Sequence, residues 1–261
     1  MISIYYEFLI PFLLSALVVI LISIIAERYG TKTGGIIGTL PSTIIIAFLF
    51  IAFNKGVTHA SESVAVVPAE MGVNLLFLLI FTLYASRSTA TALSISLTAW
   101  ALLSLSLFLL NMNNIFISLG LFILAFCVAL FILERVKKIP SMGSTHVRYT
   151  PMKILLRGFL AGVVIAFAVL LSNVGAVLSG IFSTFPVIFL STMMITVREH
   201  GPKFAGGMAK SMIFGSPSVV SYAIVIYFLY PLYGIITGTI VALILSFFIT
   251  ILLCRISRKI Q

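Results

Sequence analysis

The sequence contains no aspartate, and only 8% of its 261 residues are charged. Soluble domains are roughly one-quarter charged residues, so this composition excludes an ordinary soluble fold. Without aspartate the chain cannot be an intramembrane aspartyl protease or an Asp-rich lipid-headgroup transferase. It also has no His-Glu-x-x-His or Gly-x-Ser-Gly motif, and Gly201–Gly206 is followed by Gly207, where a nucleotide-binding P-loop requires a lysine. We therefore expect no enzyme activity and no cofactor.

Patterns typical of metal sites are also missing. The only two cysteines, Cys127 and Cys254, lie in separate apolar runs and have no Cys-x-x-Cys spacing. Nine methionines are present, but methionine in an apolar helix fills gaps far more often than it binds soft metals. The sequence therefore leaves the question of a metal open.

Apolar sequence fills the chain instead, since 61% of the residues are hydrophobic. Runs of 18 or more apolar residues recur from end to end, and each is long enough to cross a bilayer. We predict an all-α polytopic membrane protein with about nine transmembrane helices and the lipid bilayer around it. The spans lie at roughly 5–26, 34–53, 58–85, 89–110, 115–133, 152–172, 175–197, 203–230 and 233–254.

The basic residues predict how these spans are oriented. No Lys or Arg precedes the first run, and none lies in 111–114, 172–174 or 231–233, whereas the intervening connections carry them. Lys55 is the exception. Because basic loops stay in the cytoplasm, we expect the N-terminus outside and the C-terminus inside the cell membrane. The net charge of +10 is explained by these loops, and we expect no nucleic-acid partner.

One stretch of the sequence occurs twice. An offset of 145 residues aligns 30–56 with 175–201, with six identities in 27 positions. The identities are mostly residues that shape the backbone, and they pair as Gly30 with Gly175, Gly35 with Gly180, Ile36 with Ile181, Thr39 with Thr184, Pro41 with Pro186 and Gly56 with Gly201. The match predicts a duplicated membrane unit with a glycine- and proline-marked second helix in each half.

The predicted spans divide the chain into three parts. Residues 1–111 form a first four-helix repeat, 112–150 a linker helix and cytoplasmic loop, and 151–261 a second four-helix repeat. Because the linker crosses once, the second repeat is inverted relative to the first. Inverted repeats are a hallmark of secondary transporters, although helical channels also contain them and a duplication can serve a scaffold without transport.

A few polar side chains enter the predicted spans. Glu70 lies near the middle of the third span, where an ionised carboxylate costs roughly 2.5 kcal/mol or more and needs a partner, a proton or water. Glu62 precedes it by about two helical turns and either lines the outer part of the same path or lies in the solvated interface. Asn74 follows Glu70 by one turn, and we count it, like Glu62, as a candidate substrate- or ion-binding residue. Lys210, in the eighth span, is a candidate partner for Glu70, or its ammonium reaches the inner interface.

Four prolines mark predicted helix breaks: Pro41, Pro68, Pro186 and Pro217. A proline inside a helix frees carbonyl groups, and in membranes such breaks line substrate or ion sites. We expect the Pro68 and Pro217 breaks to lie at equivalent depth. Thr39, Thr184 and Ser216 lie beside breaks, where their hydroxyls either satisfy freed carbonyls or act as neutral oxygen ligands.

These features predict a secondary transporter that moves a small ion or solute by alternating access, with Glu70 as the group that couples to a cation or proton. An ion channel and a non-transport membrane scaffold or assembly protein are the alternatives. Substrate, coupling ion and a possible homo-oligomer are left open by the sequence.

Overall fold

The computed structural model describes residues 2–28, 36–139 and 150–259. Within these ranges the chain is helical and contains no β-strand, as its composition predicts. Gly30 and Gly35, in the first copy of the repeated stretch, lie outside the described residues. The helices are α1 Ile2–Arg28, α2 Ser42–Lys55, α3 Val57–Val64, α4 Val67–Tyr84, α5 Thr89–Leu109, α6 Ile115–Phe131 with a π-helical extension Ile132–Val136, α7 Pro151–Leu171, α8 Ala176–Ser183, α9 Val187–His200, α10 Pro202–Gly215 and α11 Pro217–Lys259.

Seven helical stretches in the described ranges are long and apolar enough to cross a membrane. The last of them, Pro202–Ile256, has 55 residues and would be about 80 Å long if straight, whereas a hydrocarbon core is about 30 Å thick. Gly234 interrupts it with φ 77° and ψ 177°, which divides α11 into two helices. The described chain is thus an all-helical integral membrane protein, and the count of nine spans stays a prediction.

The two copies of the repeated stretch have nearly the same backbone. Pro41 (φ −72°, ψ 45°) precedes α2, and Pro186 (φ −78°, ψ 43°) precedes α9. Both helices have 14 residues and end at a glycine with positive φ, Gly56 at 87° and Gly201 at 83°. Proline cannot continue the hydrogen bonding of a preceding helix, and glycine adopts positive φ without strain. The matched residues therefore produce matched helix starts and ends.

The centre of the protein is the α3–α4 segment. In Val57–Tyr84, 89% of the most apolar window is buried, against 22% in Tyr6–Ala26. Helices α5, α6, α10 and α11 pack against α4. The apolar face of α1 that remains exposed suits contact with lipid, whereas α4 is enclosed by protein on all sides. Polar groups on α4 therefore face other helices.

Two small residues on α7 allow α1 to approach closely. A Cβ at Gly158 would lie 2.6 Å from Cγ1 of Ile20, and one at Gly162 would lie 2.7 Å from the carbonyl oxygen of Phe12. Glycines four residues apart occupy one helix face, and membrane helices use such faces for close packing. Each predicted repeat thus contributes its first helix to one tight pair.

The interruptions at Pro68 and Pro217 are milder than those at Pro41 and Pro186. Ala65 and Ser216, which lie at the two joints, keep helical backbone angles near φ −60°, ψ −30°. Helix α3 has eight residues before its joint and α10 has 14. The prediction that these two breaks lie at equivalent depth is therefore wrong. The helices that follow the matched glycines, Gly56 and Gly201, differ in length.

Candidate functional site

The two proline-broken segments meet at a cavity of about 50 Å³. Residues 38–41 line it from the first half of the chain and residues 183–189 from the second, and α7 contributes Ala161, Val164 and Ile165. A single water needs roughly 10–15 Å³ of such volume. In this conformation the cavity therefore accommodates an ion or a few small atoms, not a bulky solute.

The threonines that precede the two prolines both line this cavity. The Thr39 hydroxyl donates to the carbonyl oxygen of Ile36 (2.7 Å), and the Thr184 hydroxyl donates to that of Ile181 (3.1 Å). Both hydroxyls therefore satisfy the carbonyls of the helix end. Each oxygen also keeps lone pairs that can accept a hydrogen bond or contact a cation, so the two roles considered for these residues are compatible.

Two hydrogen bonds join each half of the chain to the broken helix of the other. The Asn74 amide on α4 donates to the carbonyl oxygen of Thr184 (2.7 Å). The Ser218 hydroxyl on α11 donates to the carbonyl oxygen of Thr39 (3.1 Å). These carbonyls belong to the residues two positions before Pro186 and Pro41. The same position of both breaks is thus held by a side chain from the opposite half.

Glu70 lies next to this cavity without lining it. Its side chain is fully buried (0% exposed), and Oε1 accepts a hydrogen bond from the Ser104 hydroxyl on α5 at 2.8 Å. Its Oε2 accepts no hydrogen bond from the described residues. Its neighbours Met71 and Asn74 line the cavity instead. Glu70 is therefore directed toward α5, one helix away from the broken segments.

Trp100 connects the surroundings of Glu70 to the cavity. Its indole lies close enough to act on the Glu70 carboxyl electrostatically, although Nε1 does not meet hydrogen-bond geometry. The same ring packs edge-on against Phe185, with centroids 4.8 Å apart, and Phe185 lines the cavity. A displacement of Phe185 would therefore move Trp100 and change the surroundings of Glu70.

Glu62 lies in a separate cleft. It is exposed and lines a cleft of about 330 Å³ with Asn111, Asn113 and the N-terminal residues of α8. The loops that the basic residues assign to the outside therefore meet at this cleft. Ser63 follows Glu62 and Ser179 follows Leu178, and the Ser179 hydroxyl donates to Ser63 Oγ (3.1 Å). The contact between α3 and α8 separates the cleft from the cavity.

The remaining predicted residues lie away from the cavity. Lys210 forms an ion pair with Glu134 (3.0 Å) on the π-helical extension, so the structure does not pair it with Glu70. Ser216 is buried, and its hydroxyl donates to the carbonyl oxygen of Ile213 (2.8 Å). Neither Pro68 nor Pro217 lines the cavity. The broken helices that form the site are those of Pro41 and Pro186.

The sequence reasoning missed Arg157. This residue lies in the second turn of α7, is only 6% exposed, and donates from Nη2 to the Thr192 hydroxyl on α9 (3.0 Å). A single basic residue within the apolar run that follows Lys153 was the available signal. The sequence did not single it out because the basic residues were used only to orient the spans. A buried charge in a membrane helix is a candidate functional group in its own right.

No group of three or more His, Cys or Glu side chains in the described ranges is arranged to hold a metal ion. The polar atoms that the cavity offers are hydroxyls, an amide and backbone carbonyls. Such neutral oxygen ligands suit a weakly held cation or a solute with hydrogen-bond donors. They do not suit tight binding of a transition metal.

An all-helical bundle with seven helical stretches in the described ranges that are long and apolar enough to cross a membrane defines this chain as a polytopic integral membrane protein. The chain belongs to the family described as protein of unknown function (DUF3147). The family model matches it twice, over residues 8–113 and 154–259, so that corresponding ends differ by 146 positions. No curated protein and no solved structure matches the chain. Membership of this family assigns no activity, which has to be argued from the site.

Proposed function

We propose that this protein is a secondary transporter that moves a small ion or solute across the cell membrane by alternating access. It is built from nine spans, with two inverted four-helix repeats joined by a linker helix. The observation that carries the proposal is the meeting of the Pro41 and Pro186 breaks, one from each half, at one cavity. Transporters with inverted repeats bind their substrates at such paired breaks near the bilayer centre.

The duplication has support from three directions. The 145-residue offset of the repeated stretch nearly equals the 146-residue offset of the two family matches. The backbone angles at Pro41 and Pro186, and at Gly56 and Gly201, agree within a few degrees. Loops expected outside the cell come together around Glu62, which agrees with a single linker crossing between inverted units.

Alternating access needs contacts that open on one side at a time. The contact between α3 and α8 is suited to this role because it lies between the Glu62 cleft and the cavity. It consists of the Ser179–Ser63 hydrogen bond and of Gly180, which lies directly against the carbonyl group of Ser63. Separation of these two short helices joins cleft and cavity. Short half-helices can move in this way without unfolding a full span.

Glu70 is the group that we assign to coupling. Of the two acidic residues in the span Val57–Tyr84, Glu70 is the buried one, and one of its oxygens receives no hydrogen bond from the described residues. Such a group is costly in a membrane interior unless function requires it. Because Trp100 touches both its surroundings and Phe185 of the cavity wall, occupancy of the cavity and the state of the carboxyl can influence each other.

The lining of the cavity limits the substrate. Thr39 and Thr184 present hydroxyl oxygens, and Asn74 Oδ1 is buried without a hydrogen bond from the described residues. These atoms are acceptors, so they favour a cation or a compact solute that carries donors. The volume of about 50 Å³ excludes large organic molecules in this conformation.

Transport assays with the purified protein in liposomes test the proposal. Uptake of metal cations and of small organic ions is measured with and without a pH gradient, for the wild type and for Glu70→Gln. Glutamine keeps the shape of the side chain but cannot ionise, so we expect uptake to fall at least about tenfold, as for loss of an essential proton-transfer group. Equal uptake by both proteins removes Glu70 from the mechanism.

A matched control and an electrical measurement complete this test. Glu134→Gln makes the same chemical change at an exposed residue that lines neither the cavity nor the Glu62 cleft, and it should retain most of the uptake. Single-channel recording separates the channel alternative, because a channel passes discrete currents far above the turnover of a transporter. If no solute is taken up and Glu70→Gln alters only thermal stability, the scaffold alternative replaces transport.

A further inference from the structure

A second cleft, of about 270 Å³, lies between α7 and α9. It is separate from the cavity described above. The two lie close together on α7, because Arg157 lines the cleft and Ala161, one turn later, lines the cavity. Lys153, Arg157 and Arg198 line the cleft together with one acid, Glu199. Three basic groups against one acidic group leave a formal charge of +2 on its wall. Such a site attracts anions.

The basic groups occupy two different settings. Lys153 and Glu199 form an ion pair at the exposed mouth of the cleft. Arg157 lies deeper, where it is 6% exposed and its Nη2 donates to the neutral Thr192 hydroxyl. This hydrogen bond orients the guanidinium between α7 and α9 at the inner end of the cleft. Arginine presents several donors in a planar fork, and this geometry matches phosphate oxygens.

The rest of the cleft wall is apolar. Leu156, Leu160, Leu190, Met194 and Ile195 line it beside the basic groups. Leu156 is 55% exposed and Leu160 is 38% exposed on the outer face of α7, where a bilayer would surround the protein. A soluble anion gains no binding free energy from such an apolar wall. The acyl chains of a phospholipid do, because they bury apolar surface against it.

We propose that this cleft binds the phosphate-bearing headgroup of an anionic phospholipid. Arg157 holds the phosphate from within, Arg198 and Lys153 contact the headgroup at the mouth, and the leucines on α7 pack against the acyl chains. Lys153, near the start of α7, and Arg198, near the end of α9, lie next to connections that the loop charges assign to the cytoplasm. The inner leaflet carries the anionic lipids to which basic residues next to spans are attracted.

Native mass spectrometry of the full chain in detergent tests this site. The protein is titrated with phosphatidylglycerol or with phosphatidylcholine, which contains phosphate but has no net charge. We expect phosphatidylglycerol to bind the wild type at least about fivefold more tightly. One basic group near the membrane surface contributes about 1 kcal/mol, which is about fivefold in affinity. Arg198→Gln should therefore weaken phosphatidylglycerol binding about fivefold, and Arg157→Gln/Arg198→Gln about 25-fold.

Lys55→Gln is the matched control. Lys55 is exposed at the end of α2, does not line the cleft, and should leave lipid binding unchanged when its charge is removed. An equal loss in Lys55→Gln and Arg198→Gln overturns the proposal in favour of general surface charge. Because Arg198 is exposed, its variant keeps the test valid if Arg157→Gln does not fold.

Inorganic phosphate distinguishes the source of the anion. Added at millimolar concentration, it should not displace phosphatidylglycerol from the wild type, because it cannot use the apolar wall. Displacement at that concentration shows a site for a soluble anion and contradicts the lipid assignment. Equal binding of phosphatidylglycerol and phosphatidylcholine contradicts it as well. These measurements do not depend on whether the protein transports anything.

Discussion

The two halves of the chain agree in backbone and differ in buried charge. Pro41 and Pro186 begin 14-residue helices with nearly the same angles. The first half buries Glu70 against Ser104, whereas the second buries Arg157 against Thr192. The 145-residue offset places a glycine, Gly215, opposite Glu70 and an apolar residue opposite Arg157. The shared backbone of each half therefore does not require the charge that the other half buries.

The close contact between the halves is the feature whose disruption should have the largest effect on stability. A Cβ at Gly180 would collide with the carbonyl group of Ser63 and lie 2.6 Å from Cγ1 of Val66. Backbone cannot move aside as a flexible side chain can, so we expect Gly180→Val to lower the free energy of unfolding by about 3 kcal/mol, at the upper end for overpacking. Thermal unfolding in detergent measures the loss.

Gly175→Val is the control for this substitution. Gly175 lies five residues earlier, its φ of 176° is extended, and a Cβ there would meet no atom within 4 Å. We expect its unfolding temperature to stay close to that of the wild type. Similar losses in the two variants would mean that valine destabilises this segment irrespective of the contact with Ser63. The contact between α3 and α8 would then not be the feature on which the stability of the two halves depends most.

Much of this fold could be predicted from the pattern of the sequence. The span predicted at roughly 89–110 is the helix Thr89–Leu109, because turn residues and apolar runs mark helix ends directly. The matching Pro41 and Pro186 also indicated which helices break. Proline and glycine act on their own backbone, so their consequences are local and readable from the chain.

The facing of the polar side chains could not be predicted in the same way. Glu70 was expected at the site, yet it contacts Ser104, while Asn74 one turn later lines the cavity. Which of the two faces the cavity depends on how α4 is rotated among its neighbours, and apolar residues surround the helix on all sides. Arg157 was hidden for a related reason, since hydropathy does not tell a buried cation from one that reaches the interface.

The glycines that end the matched helices offer a test of equal strain in the two halves. Gly56 and Gly201 have φ of 87° and 83°, and a Cβ at either position would meet no atom within 4 Å. Alanine therefore introduces backbone strain alone, at a cost of about 1–2 kcal/mol. We expect Gly56→Ala and Gly201→Ala to lower the unfolding temperature by the same amount. A clear inequality would show that the backbone match does not extend to energetics.

The smallest expected effect concerns one of the two hydrogen bonds that join the halves. Ser218→Ala removes the donor to the carbonyl oxygen of Thr39. Hydrogen bonds between membrane helices contribute on average about 0.6 kcal/mol, because alternative partners exist in the unfolded state. We therefore expect a loss of about this size on chemical unfolding in detergent. Ser211→Ala, which removes a hydrogen bond within α10 to Gly207, should cost less, since that carbonyl belongs to the same helix. If the two substitutions lower the free energy of unfolding equally, the Ser218 hydrogen bond adds no stability between the halves. The matching arrangement of Ser218 and Asn74 is then a similarity of geometry without an energetic role.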